Sequence, residues 1–112
     1  MSRHEITITL QQILDHAQEA IFLVHGKSRT DLDENRMLNL ALTRLLEIIG
    51  EAANRVPIDF QMENPAVSWS QIISLRNRLI HGYDSVDFDL LWHVVIHDLP
   101  ELVQALEKIL GD

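Results

Sequence analysis

The sequence contains no cysteine, which excludes a disulfide framework and a thiolate metal site. Glycine and proline number only four and three, so obligatory breaks are few. Lysine and arginine total nine against seventeen aspartates and glutamates, a formal net charge of −8. That balance argues against a broad, non-specific nucleic-acid surface, which is usually strongly basic. A small local basic site is still compatible with it, as is a partner with a basic face. No apolar run approaches the roughly 20 residues that a bilayer-crossing helix needs. The opening "MSRHEITITLQQIL" has charge and polarity where a signal peptide would be apolar. A soluble cytoplasmic protein without membrane contact is expected.

What is present is ordinary globular material, 46% hydrophobic over 112 residues, and it predicts one domain spanning 1–112 with a single modest core. Apolar residues recur at helical spacing between the breaks. Over about residues 4 to 25, Leu10, Ile13, Leu14, Ala17, Ile21 and Val24 share one face, up to Gly26. Over about 31 to 55, Met37, Leu38, Ala41, Leu42, Leu45, Ile48, Ile49 and Ala52 form the longest stripe. Pro57 and Pro65 bracket an irregular connection, and Ser68 or Ser70 is placed to cap a third helix reaching Gly82. The turn "YDSVDFD" follows, with Asp87 as cap for a fourth helix from Phe88. In "HDLPE", Asp98 stands three residues before Glu101 with Pro100 between, so that helix kinks or divides there. "ITITL" is too short to read as a strand. The reading is an all-α, up-and-down bundle of four to five helices.

The third helix carries the anomaly. At about 100° per residue, Ser70, Ser74, Asn77 and His81 form one polar stripe, while Arg76 lands among Trp69, Ile73 and Ile80 on an apolar arc. A guanidinium in such a place needs a partner or an interface, because a stranded buried charge costs several kcal/mol. Glu47 and Glu51, one turn apart on the second helix, are the candidate partners, and Gly50 between them lets another helix approach closely. His81 reads as the last turn of its helix, where the dipole favours an imidazolium. An arginine beside a histidine that exchanges a proton near neutral pH suits phosphodiester chemistry.

Spacing alone also admits plainer readings. Arg76 taken by itself is more often a structural ion-pair partner, a lone helical histidine is usually structural, and Tyr83 commonly seals a helix end. His93 and His97 stand at i and i+4 beside Asp98, a metal-compatible spacing, but no third ligand and no H-E-x-x-H motif accompany them. No metal or cofactor is expected. His4, His16 and His25 show no pattern, and no phosphate-binding glycine loop or nucleophile elbow is present.

The stretch "LRNRLIHGYDSVD" resembles the signature of HepT-like proteins in the HEPN superfamily, whose shared motif is R-x(4-6)-H. The match is R-N-x-L-I-H-x-Y, with Arg76, Asn77, His81 and Tyr83 at the family's spacing. "LLEIIGEAANR" resembles the family's second helix, "WSQIISLRN" the approach to the motif and "HDLPEL" the last helix, so the likeness covers about residues 31 to 110. It implies a HEPN-like helical homodimer whose motif helices meet across a cleft. It further implies the toxin of a type VII or type II-like toxin–antitoxin pair, a metal-independent endoribonuclease acting on RNA. The implied partner is a minimal nucleotidyltransferase antitoxin that adenylylates the motif tyrosine. Carried over, Arg76 and His81 are catalytic, Asn77 orients them and Tyr83 is the modification site; beside that, Asn77 and Arg78 are the expected substrate contacts and Glu47 and Glu51 the expected support of the arginine. Dimerisation through the third and fourth helices would gather Arg76, Arg78 and His81 into one positive cleft on an acidic protein. The alternative is a non-catalytic helical nucleotide- or partner-binding subunit of a nucleotidyltransferase complex, or a structural dimer with Arg76 paired to Glu47 or Glu51.

Overall fold

A computed structural model describes residues 1–83 and 85–111. Helix α1, Arg3–Leu23, starts from a capping box: the Glu5 amide donates to Ser2 Oγ at 3.1 Å and the Ser2 amide to Glu5 Oε1 at 3.0 Å. The Ser2 amide, followed by the Ser2 hydroxyl, holds the Glu5 carboxyl below its ordinary range. "ITITL" lies inside this helix. The expected second helix is two. Helix α2, Arg29–Glu34, ends where Asn35 turns extended, and α3, Arg36–Arg55, begins with Asn35 Oδ1 accepting from the Leu38 amide at 3.0 Å. Asparagine's preference for the cap over the helix interior places that break.

Helix α1 packs along α3 and against the C-terminal helix, and the expected stripes meet there. Leu10, Ile13, Leu14, Ala17 and Val24 of α1, and Leu38, Leu42, Leu45, Ile49 and Ala52 of α3, are buried. The α3 stripe is wider than one partner covers. Met37 is 83% exposed and Leu40 51%, Ala41 is exposed and Ile48 half-buried, so the outer side of the same helix carries apolar residues alongside the exposed Arg44 and Glu51.

The connection between the prolines contains a short helix, α4, Ile58–Glu63. Trp69 locks its end, with Nε1 donating to the Asn64 carbonyl at 2.9 Å. The third helix is also divided, into α5, Trp69–Ile73, and α6, Leu75–Leu79. Ser68 precedes α5 without capping it through its side chain. At the joint, Ser74 Oγ donates to the Gln71 carbonyl at 3.1 Å, a local bond that competes with helix continuation. Gly50 permits α5 to close on α3: a Cβ there would sit 2.9 Å from the Ile72 carbonyl oxygen.

Helix α7, Phe88–His93, is capped as expected, by Asp87 Oδ1 accepting from the Leu90 amide at 3.0 Å. A π turn, Val94–Asp98, then leads into α8, Leu99–Ile109. Pro100 explains the widening, since it has no N–H for an i→i−4 bond and its ring crowds the preceding turn. The chain therefore neither breaks at "HDLPE" nor uses Asp98 as a side-chain cap. Arg29 pins α2 to α7, with Nε 2.8 Å from Asp89 Oδ1 and the guanidinium 5.9 Å from the Phe88 ring centre. The bond to Asp89 raises the arginine's pKa further. Among the described residues no helix is long and apolar enough to cross a membrane. The architecture is an all-α HEPN-like bundle in which the long expected helices are partly assembled from short ones.

Candidate active site

The motif straddles a change of backbone. Helix α6 stops at Leu79, Ile80 is extended, and Ile80 forms an antiparallel bridge with Val86. The His81 amide donates to the Ser85 carbonyl at 2.7 Å, and the Asp87 amide to the Leu79 carbonyl at 2.8 Å. Leu79's carbonyl is thus engaged by Asp87 across a hairpin. The signal was legible: two β-branched residues, Ile80 and Val86, flank a glycine-containing turn. Gly82 takes φ +133°, a conformation that only glycine adopts freely. The expected turn includes Asp84, which lies outside the described residues. His81 consequently stands on an extended segment rather than in the last turn of a helix, and the dipole argument for its imidazolium does not apply.

Arg76 remains on α6, but its side chain is 67% exposed, not sunk in the apolar arc. The division at Ser74 shortens the arc, and the neighbouring Ile73 and Ile80 are only half-buried. Its Nε donates to Glu47 Oε2 at 3.2 Å, and that glutamate is only 18% exposed. Of the two expected partners, Glu47 is the one used. Glu51 pairs instead with Arg44, at 3.5 Å. The guanidinium is anchored on one edge and open to solvent elsewhere.

Arg76, Ile80, Gly82 and Tyr83 line an open depression of about 380 Å³. Tyr83 is fully exposed at its rim. The structure therefore brings Arg76, Tyr83 and Glu47 together. His81, exposed on the hairpin, does not line the depression, because side chains alternate along extended backbone and Ile80 already faces it. Asn77 is exposed on α6. Arg78 departs furthest from expectation. It faces away from Arg76, lines a separate cavity beside Asp98 and Glu101, and donates from Nη1 to the Gln71 carbonyl at 3.1 Å. Residues two apart on a helix point about 200° apart, so one chain cannot aim Arg76 and Arg78 at one cleft. The residues that sequence reasoning missed here are Ile80 and Gly82, as the floor and the bend of the depression.

On the other side, the His93 and His97 ring centres are 4.7 Å apart, and His93 Nε2 is 3.8 Å from Asp98 Oδ1. Among the described residues no group of three or more His, Cys, Asp or Glu is arranged to hold a metal ion.

The family model described as Ribonuclease HepT-like matches residues 10–109. The chain belongs to that family. Among curated proteins, this HepT-like chain is 36% identical over 109 residues to "Putative RNase MJ1380" of Methanocaldococcus jannaschii, covering 97% of this chain and 100% of that one. It is 36% identical over 100 residues to "Probable ribonuclease HepT" of Thermococcus cleftensis, covering 86% and 91%. A third relative, "Putative RNase TTE0752" of Caldanaerobacter subterraneus subsp. tengcongensis, is 35% identical over 101 residues, 90% of each chain. No solved structure matches significantly.

Proposed function

We propose that this HepT-like protein is the toxin of a toxin–antitoxin pair, a metal-independent endoribonuclease whose active unit is a homodimer. The observation that carries the reading is Arg76: its Nε is fixed by Glu47 while most of the guanidinium faces solvent beside Tyr83. A guanidinium held on one edge is prepared to donate its remaining N–H groups to a phosphate.

In the proposed reaction, the ribose 2′-oxygen attacks the adjacent phosphorus and the 5′-oxygen leaves. A base takes the 2′-hydroxyl proton and an acid returns one to the departing oxygen. His81 is the group for one of these transfers, and Arg76 neutralises the oxygens of the phosphorane. Asn77, exposed one turn before the hairpin, is placed to contact substrate. Within one chain His81 does not face the depression that Arg76 lines. A second copy would complete the set by presenting its own motif to the same strand. The exposed apolar residues Met37, Leu40 and Ala41 lie on α3, the helix that also bears Glu47, and move the proposed interface there from the third and fourth helices expected from the sequence. The proposed cytoplasmic antitoxin, a minimal nucleotidyltransferase, inhibits by adenylylating Tyr83: the phenol oxygen bonds to the α-phosphorus of ATP and pyrophosphate departs.

The separation of His81 from Arg76 also favours the second reading, a non-catalytic subunit that binds a nucleotide or partner. One assay separates the two. Purified unmodified protein should cleave RNA in the presence of a chelator, and Arg76→Ala and His81→Ala should each lower the rate by about 10²–10⁴-fold with helical content retained. Wild-type cleavage by either variant would overturn the catalytic assignment, and absence of cleavage by the parent protein would favour the binding subunit.

A further inference from the structure

The cavity that takes Arg78 away from the motif has chemistry of its own. It lies between α5–α6 and the π turn with the start of α8, and encloses about 70 Å³. Its floor is apolar, from Ile72, Leu75, Val94 and Leu99, and its rim carries Asp98 and Glu101. That volume is several times the roughly 10–15 Å³ that one water needs, and well below the roughly 300–1,000 Å³ of pockets enclosing whole ligands. It fits a side chain rather than a nucleotide.

The charges decide which side chain. Glu101 has no ion-pair partner among the described residues, and Asp98 has only the distant exposed His93 at 3.8 Å. Arg78 lines the same cavity but pairs with neither, its guanidinium donating instead to the Gln71 carbonyl. Two carboxylates thus stand over an apolar floor. That combination complements an alkyl stem ending in a cation, which buries its methylenes and keeps its charge at the rim. The π turn that Pro100 imposes supplies Val94 and Asp98 to the cavity wall.

We propose that this cavity is a docking socket for a lysine side chain from a basic segment of a partner protein. The partner's ammonium sits between Asp98 and Glu101 and its stem lies on Ile72, Val94 and Leu99. An acidic chain of net charge −8 favours such a partner electrostatically. The socket is distinct from the Arg76–Tyr83 depression, and its occupation does not depend on nuclease activity.

The test is a methyl and amide NMR titration of the full chain with a blocked Gly-Lys-Gly peptide, its norleucine analogue, n-butylammonium and butyrate. The lysine peptide should give saturable shifts at Ile72, Val94 and Leu99, and the norleucine peptide and butyrate none. Asp98→Asn and Glu101→Gln should each weaken binding about two- to fivefold, the scale of a partly exposed charge pair. Arg78→Gln should tighten it, because a competing positive charge is removed. Shifts by butyrate that vanish in Arg78→Gln would make the site an anion site and overturn the proposal. So would binding of n-butylammonium without binding of the peptide, which would mark a small-amine site, and so would no saturable shift at these residues.

Discussion

Arg76 and Glu47, 29 positions apart in sequence, meet with Nε 3.2 Å from Oε2, and the two side chains sit at opposite depths. The carboxylate is mostly covered and the guanidinium mostly free. The pair therefore contributes little stability for its geometry, since solvent screens the exposed arginine. Its consequence is orientation. Glu47→Ala should cost only about 0.5–1 kcal/mol in urea denaturation. Under the nuclease reading, it should lower the cleavage rate much more than that loss of stability accounts for. Arg76→Lys should not restore activity, because an ammonium has neither the Nε–H nor the planar fork. Cleavage by Arg76→Lys at the parent rate would show that only charge is needed.

Gly50 stands one turn beyond Glu47 and admits the backbone of α5. Gly50→Ala places a methyl 2.9 Å from the Ile72 carbonyl oxygen. Alanine gains about 1 kcal/mol of helix propensity, while overpacking typically costs about 1–3 kcal/mol. The clash involves backbone rather than a flexible side-chain tip, so the net effect should be destabilising. A lower urea midpoint with unchanged slope is expected, and an equal or higher midpoint would mean that α5 moves aside freely.

The outer side of α3 tests the dimer. Light scattering at micromolar concentration should report about twice the 12.9 kDa chain mass. Met37 and Leu40 are largely exposed in one chain, so Met37→Glu with Leu40→Glu should change monomer stability by no more than about 0.5 kcal/mol each. The variant should nevertheless run as a monomer and lose cleavage. A dimer that survives both charges places the interface elsewhere.

Tyr83 can be separated from catalysis. Its ring is fully exposed, so Tyr83→Phe should leave folding and cleavage near the parent values while removing the acceptor oxygen. Incubated with the cognate nucleotidyltransferase, ATP and magnesium, the parent chain should gain the mass of AMP and lose activity. The added anion and nucleoside would occupy the space beside Arg76 that substrate phosphate requires. Equal AMP addition to Tyr83→Phe would assign the modification to another residue and leave direct antitoxin binding as the simpler control.

The helical class, the buried stripes of α1 and α3, the Asp87 cap and the link between Glu47 and Arg76 were all legible in the sequence. Each depends on local periodicity, on capping chemistry, or on a charge that must find an opposite charge. Asn35 and Ser74 divide helices through local side-chain bonds, breaks that the sequence permits without dictating. Tertiary structure decided how the pieces pack, as where Gly50 admits the backbone of α5. The same holds for the motif. A helical wheel carries His81 beside Asn77, but the Ile80–Val86 bridge draws the chain into a hairpin and turns the histidine away from the depression. A wheel already sets Arg78 about 200° from Arg76, but only the fold shows what fills that direction, the π turn and the start of α8. Local rules set what each segment can become. Contacts between residues distant in sequence select among those possibilities, because their bonds exist only after the chain has closed.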